Sequence, residues 1–234
     1  MKAGRASSAR LALETVEVEP GTEADAAVVL MHGLGADGHD FEPVARELAL
    51  DPASAVRFVF PHAPLRSVTI NRGMRMRAWY DIASLDGQHE DEQGIAESAA
   101  AVRELVARER DRGVEAERIV LAGFSQGGAL ALYAALREPA RLGGVIALST
   151  YLPLAGKVAS EAHPANAAVA VFMAHGMHDP VVPFALGERS RDALLARGYD
   201  VEWHAYPMGH SVCAEEIQDL RAWLARALPP RAQR

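Results

Sequence analysis

The stretch Gly123-Phe124-Ser125-Gln126-Gly127 decides how the rest of this 234-residue chain is read. It follows a short apolar run at 118–122 and precedes an Ala- and Leu-rich run at 129–136. The first run has the length and composition of a buried strand, the second those of a helix. A serine between them sits on a sharp strand-to-helix turn. Glycines two places to either side let strand and helix approach closely, and the turn lifts the hydroxyl above the sheet edge. The turn also aims a helix N-terminus, with its free backbone N–H groups, at whatever the serine attacks. Taken alone, the five residues equally fit a glycine-rich turn with an incidental serine, so partners are needed elsewhere in the chain.

Outward from this turn, strand-like and helix-like segments alternate. Residues 26–31 form a continuous apolar run, as expected of a strand covered on both faces. Helical spacing follows at 41–50, then a strand at 56–60 stopped by Pro61 and Pro64. The longest predicted helix covers 91–113, with Ile95, Ala99, Val102 and Leu105 on one face and Gly113 as its stop. Beyond the serine, strands are predicted at 144–149 and 168–174, then a helix at 185–196, a strand at 200–206 and a helix at 214–227. This βα alternation predicts an α/β fold, a mostly parallel central sheet flanked by helices, with residues 15–19 as an antiparallel edge. Residues 65–77 and 151–166 lack periodicity and read as loops over a functional face.

Composition narrows the function. Half the residues are apolar and the formal net charge is −7. An acidic surface argues against a nucleic-acid partner, which needs concentrated positive charge. The arginines Arg72, Arg75 and Arg77 read as solvated or ion-paired loop residues. Cys213 is the single cysteine, so no internal disulfide can form, in keeping with a reducing compartment. No apolar segment follows Lys2, Arg5 and Arg10 to make a signal peptide, and no run approaches the ~20 apolar residues of a membrane span. The expectation is a cytoplasmic, single-domain protein over 1–234, with 1–12 a loosely ordered extension.

A serine hydroxyl is a weak nucleophile until a base takes its proton, and that base needs an orienting carboxylate. After Ser125, one acid lies in a loop beyond a predicted strand: Asp179, in His178-Asp179-Pro180-Val181-Val182-Pro183. His210 follows the 200–206 strand in Pro207-Met208-Gly209-His210. Ligand and catalytic groups of parallel sheets sit at such strand ends. Asp192, Asp200 and Asp219 fall on helix or strand surface, and His204 lies within a strand. His175 and His178 are rival bases, and with Asp179 they could chelate a metal, although no further ligand with sharp spacing appears. Cys213 lacks an elbow and reads as a structural thiol.

Residues His32-Gly33-Leu34-Gly35 follow the first buried strand, and the flanking glycines free the backbone to turn an N–H toward the site. Gly33, Gly35 and Gly38 also match a dinucleotide-binding pattern. However, Asp37 would put a carboxylate in the pyrophosphate loop, and the next strand ends in Phe60-Pro61-His62 with no acid for a ribose.

These residues, with Asn71-Arg72-Gly73, Met76-Arg77-Ala78-Trp79-Tyr80-Asp81 and Leu148-Ser149, resemble the carboxylesterase/acyl-protein thioesterase family of α/β-hydrolases over about residues 25–225. The resemblance implies the α/β-hydrolase fold without a large lid, no cofactor and no metal. It implies hydrolysis of short- to medium-chain carboxylic esters and of acyl thioesters. It assigns Ser125 as nucleophile, Asp179 as orienting acid and His210 as base, with the backbone N–H groups of Leu34 and Gln126 as oxyanion donors. Trp79 and Val182 would line the acyl side of the cleft, although core packing explains Trp79 equally well. Tyr151, where the eukaryotic branch often has Trp, looks closer to the bacterial carboxylesterase branch, and Ser67 stands where many members have Pro. Both differences bear on substrate range. Relatives of this kind often form homodimers, but no segment here marks an interface.

Overall fold

In β2 (Ala26–Met31) every residue is buried, and successive side chains enter opposite cores. Ala27, Val29 and Met31 face one hydrophobic cluster; Ala26, Val28 and Leu30 face the other. A strand with no polar face must lie inside a sheet covered on both sides. The computed structural model, which describes residues 13–48, 50, 54–84 and 90–231, places it so. The expected extension at 1–12 lies outside the described residues.

β1 (Thr15–Val18), β2, β3 (Val56–Pro61), β6 (Ile119–Phe124), β7 (Gly144–Leu148), β8 (Ala170–Gly176) and β9 (Asp200–Tyr206) form one sheet in the order β1-β3-β2-β6-β7-β8-β9. Only β1 runs antiparallel, pairing with β3 as the edge strand expected from 15–19. Helices α2 (Glu92–Asp111), α3 (Gln126–Leu136), α4 (Val158–Glu161) and α5 (Phe184–Leu195) contribute to one core, and α1 (Glu42–Leu48) and α6 (Ala214–Ala227) to the other. The edge is tied to α2 by an ion-pair network: the buried Arg57 holds both Glu19 and the wholly buried Glu109, and Arg112 bridges Glu17, Glu19 and Glu109.

The segment 65–77 is not the loop expected. It is a hairpin of β4 (Leu65–Val68) and β5 (Met74–Arg77), separate from the main sheet. Thr69–Asn71 turns between the strands, and Arg72 and Gly73 complete the turn with positive φ. No helix among the described residues is long and apolar enough to cross a membrane.

Glu216, in the first turn of α6, is wholly buried, and burial pushes its carboxyl up to about 8. The unfolded chain ionises this group near its ordinary value of 4.5. Because the folded value is raised, stability is fully present below the lower value and declines as pH rises toward the upper. The limiting slope is ~1.4 kcal/mol per pH unit for one proton. Glu216→Gln should therefore unfold at higher urea than wild type at pH 8, with the difference vanishing near pH 4.5. A variant less stable at pH 8 would contradict this account.

Candidate active site

The sheet order reverses between β2 and β6: β3 lies beyond β2 on one side, and β7, β8 and β9 extend from β6 on the other. Crevices at the C-terminal ends of such strands are where open α/β sheets bind ligands. Here the loop after β2 and the turn after β6 meet.

Ser125 is that turn, with φ +54 and ψ −119, a positive-φ conformation rarely adopted by a residue with a side chain. The surroundings hold it there. Its N–H donates to Leu148 O (2.8 Å), and its carbonyl accepts from Ala129 N–H (3.1 Å) and Thr150 Oγ1 (2.6 Å). Strained residues of this kind persist only where packing over-determines them. The glycines are sterically required: a Cβ on Gly123 would strike the Gly127 carbonyl, and one on Gly127 the Met31 carbonyl. Gly127→Ala is thus expected to destabilise the fold by at least about 1–3 kcal/mol, the usual penalty of overpacking, as read from urea unfolding. An unchanged midpoint would show that the elbow relaxes freely. Helix α3 begins at Gln126, earlier than the predicted 129, so the Gln126 N–H is a first-turn donor beside the serine.

Asp179 and His210 come from loops after β8 and β9. The loops are stitched together by Met177 N–H to Tyr206 O (2.8 Å) and His178 N–H to Met208 O (3.0 Å). His210 Nδ1–H donates to Asp179 Oδ2 at 2.6 Å, while Asp179 Oδ1 accepts from Val181 N–H (2.8 Å) and Val182 N–H (2.9 Å). With the proton on Nδ1, the lone pair of Nε2 is left to accept from a hydroxyl. The imidazole packs on Phe124, 4.7 Å between centroids, which sets it against the residue preceding Ser125.

Neither rival histidine opens onto the cleft. His178 is exposed, and His175 is buried with Nε2 engaged by Val182 O. Among the described residues no group of three His, Cys, Asp or Glu is arranged to hold a metal. Asp219 accepts from Tyr206 Oη (2.7 Å) and lies 3.3 Å from His204 Nδ1, a structural cluster on α6 and β9.

The loop after β2 is held from both sides. His32 Nε2 accepts from Ala63 N–H (3.1 Å), so Nδ1 carries the proton and donates to Gly33 O (2.7 Å). Burial keeps this imidazole below its ordinary value, and the ring stays neutral. Gly35, at φ +79, donates its N–H to Arg77 O (2.9 Å). The peptides on both sides of Leu34 are therefore fixed. Asp37 is turned onto its own loop, accepting from His39 N–H at 2.8 Å, and Gly38 donates to His62 Nδ1 at 3.0 Å. These contacts account for the glycine-rich loop without a nucleotide.

Leu34, Ser125, Gln126 and Val182 border one cleft of about 190 Å³, with Ile70, Asn71, Ile82, Tyr151 and Val181 completing its wall. Val182 thus forms part of this wall. Trp79 is not along the cleft but beneath it, fully buried. Its Nε1 donates to His32 O (2.9 Å) and its N–H to the Gln126 side-chain oxygen (2.9 Å), so it braces the two loops that would supply oxyanion donors. The Gln126 amide also donates to Tyr80 O (2.8 Å), and the Tyr80 and Tyr151 hydroxyls meet at 3.0 Å. Ile70 and Asn71, from the unforeseen hairpin, had a weak signal: Met74 and Met76 alternate with Arg75 and Arg77 at strand period.

Comparison with known proteins decides the family. The sequence pattern of phospholipase/carboxylesterases matches residues 13–228. Acyl-protein thioesterase 1 of Mycosarcoma maydis is 41% identical over 235 residues, covering 93% of this chain and 98% of that protein. The protein of the same name from Neurospora crassa is 44% identical, covering 87% of each chain. The chain belongs to the phospholipase/carboxylesterase family. The crystal structure of Zea mays acyl-protein thioesterase 2 superposes with a TM-score of 0.83 at 31% identity, covering 92% of this chain and 99% of that one. The sheet and its flanking helices are those of the α/β-hydrolase fold, and this family member is a serine hydrolase of the carboxylesterase/acyl-protein thioesterase type.

Proposed function

We propose that the protein hydrolyses carboxylic esters of short to medium acyl chain, and acyl thioesters, through an acyl-enzyme on Ser125. The observation that carries this reading is the 2.6 Å contact of His210 Nδ1 with Asp179 Oδ2, beside a serine held at positive φ. His210 Nε2 takes the Ser125 proton as the oxygen attacks the acyl carbonyl. The oxyanion that forms is met by the N–H groups of Leu34 and Gln126, each such donor being worth about 3–4 kcal/mol in the transition state. The leaving alcohol or thiolate takes the proton from His210. Water then attacks the acyl-enzyme by the same route, returning the hydroxyl to Ser125 and releasing the acid.

The cleft volume of about 190 Å³ supports a modest acyl group, since a ~150 Å³ cavity already admits a benzene-sized guest. Its apolar wall of Leu34, Ile70, Ile82, Val181 and Val182 suits an aliphatic chain. The thioester reading rests on the names of the relatives. A series of p-nitrophenyl esters and matched acyl thioesters of increasing length tests both. The expected kcat/KM passes through a maximum at short to medium length on each leaving group. A steady rise to the longest chain would contradict the chain-length assignment, and inert thioesters would confine the activity to oxygen esters.

A further inference from the structure

His175 is fully buried at the end of β8, under the Asp179 loop, and the mechanism above does not use it. Its Nε2 lies 2.9 Å from Val182 O. A carbonyl only accepts, so Nε2 carries the proton. The same nitrogen is 3.5 Å from Asp179 Oδ2, the oxygen that receives His210. On the other side of the ring, Nδ1 is buried without a hydrogen-bond partner. A Cβ on Gly187 of α5 would lie 2.5 Å from it, so α5 closes over this nitrogen. Phe184 and Trp203 wall the rest, with ring centroids 5.8 and 6.3 Å away.

This tautomer is locked. Adding a proton at Nδ1 would put a charge in a pocket of aromatic rings with no acceptor, and burial holds the imidazole below its ordinary value. The charged or titratable groups facing it are Asp179 and His210, with Arg191 beyond the Trp203 ring at 5.1 Å. His175 is therefore a neutral, single-direction donor. By holding the Val182 carbonyl it closes the turn whose Val181 and Val182 N–H groups grip Asp179 Oδ1, and its N–H edge faces Oδ2.

The geometry points to His175 as a positioning residue that fixes Asp179 for His210. The inference rests on the assignment of Asp179 and His210 as acid and base. Misplacing a catalytic group by about 1 Å can cost about 100-fold in rate, even when the altered residue does not touch the substrate. Without the donor, the turn loosens, Asp179 orients His210 less well, and the imidazolium loses part of its carboxylate support.

The test compares His175→Met, which keeps the bulk and removes the donor, His175→Asn, whose amide reaches only the Nδ1 position, and His175→Gln, whose amide can replace Nε2–H. Active sites are counted by fluorophosphonate labelling, so turnover is expressed per competent site. Met and Asn should lower kcat on a p-nitrophenyl ester about 10-fold or more, leave KM nearly unchanged and move the acid limb of the kcat/KM profile to lower pH. Gln should restore most of kcat and the wild-type limb. If Met fails to fold, the Asn and Gln pair decides. Wild-type kcat and pH profile in Met or Asn overturns the proposal, as does equal loss in all three without movement of the limb, which marks mere packing. Asp179→Asn separates the two levels: if it is inactive while Met and Asn at 175 behave as wild type, only the His175 role falls. If Asp179→Asn keeps full turnover, the triad falls and the His175 role with it.

Discussion

Replacing Ser125 with Ala should lower kcat for ester hydrolysis by about 10⁶-fold while leaving KM and the unfolding midpoint close to wild type. In the proposed mechanism the hydroxyl oxygen forms and breaks the acyl bond, whereas the fold around it is held by backbone contacts of Ser125 that survive the substitution: its N–H to Leu148 O and its carbonyl to Ala129 and Thr150. Its positive φ remains strained with Ala, so stability does not rise as it would with Gly. His210→Ala should fall to a similar floor, and the double variant should fall no further, because nucleophile and base act as one unit. Additive losses would mean that the two groups work independently.

Asp179→Asn should cost about 10⁴-fold in kcat with an intact fold. The present carboxylate accepts on both oxygens: Val181 and Val182 N–H on Oδ1, His210 Nδ1–H on Oδ2. An amide can keep its oxygen on the backbone donors. Its NH₂ then faces His210 Nδ1, which must become the acceptor, and the proton moves to Nε2, where it blocks attack by the serine. Steady-state kinetics across pH, with circular dichroism to establish folding, reads this directly. A loss below 10-fold would show that orientation by Asp179 is dispensable.

The placement of Ser125, Asp179 and His210 after successive strands was legible in the sequence because the proposed chemistry constrains it. A strand must end at Ser125, glycines must flank it, and acid and base must follow later strands in order. The helix near 91–113 followed from an apolar face at helical spacing that its packing against the sheet reinforces. Other parts depend on contacts between distant segments and leave little local trace. The β4–β5 hairpin has strands of four residues, half of them polar, and its turn places Ile70 and Asn71 in the cleft wall. The sequence places the start of α3 at 129 because glycines disfavour helix, whereas the missing side chains of Gly127 and Gly128 are what admit the helix against Met31 and Thr150. Trp79 fits cleft and core equally in the sequence, and only its bonds to His32 and Gln126 place it under the loops that carry Leu34 and Gln126. His175 carried a metal-like spacing to Asp179, yet its single donor is aimed at a backbone carbonyl.

The claim that Ser125 forms the acyl-enzyme is tested most directly by rapid mixing with a p-nitrophenyl ester, followed by acid quench and peptide mass spectrometry. A burst of p-nitrophenol approaching one equivalent per protein is expected, with the acyl mass on the peptide carrying Ser125 and absent from Ser125→Ala. Acyl mass on any other residue, or undiminished turnover by Ser125→Ala, would contradict it.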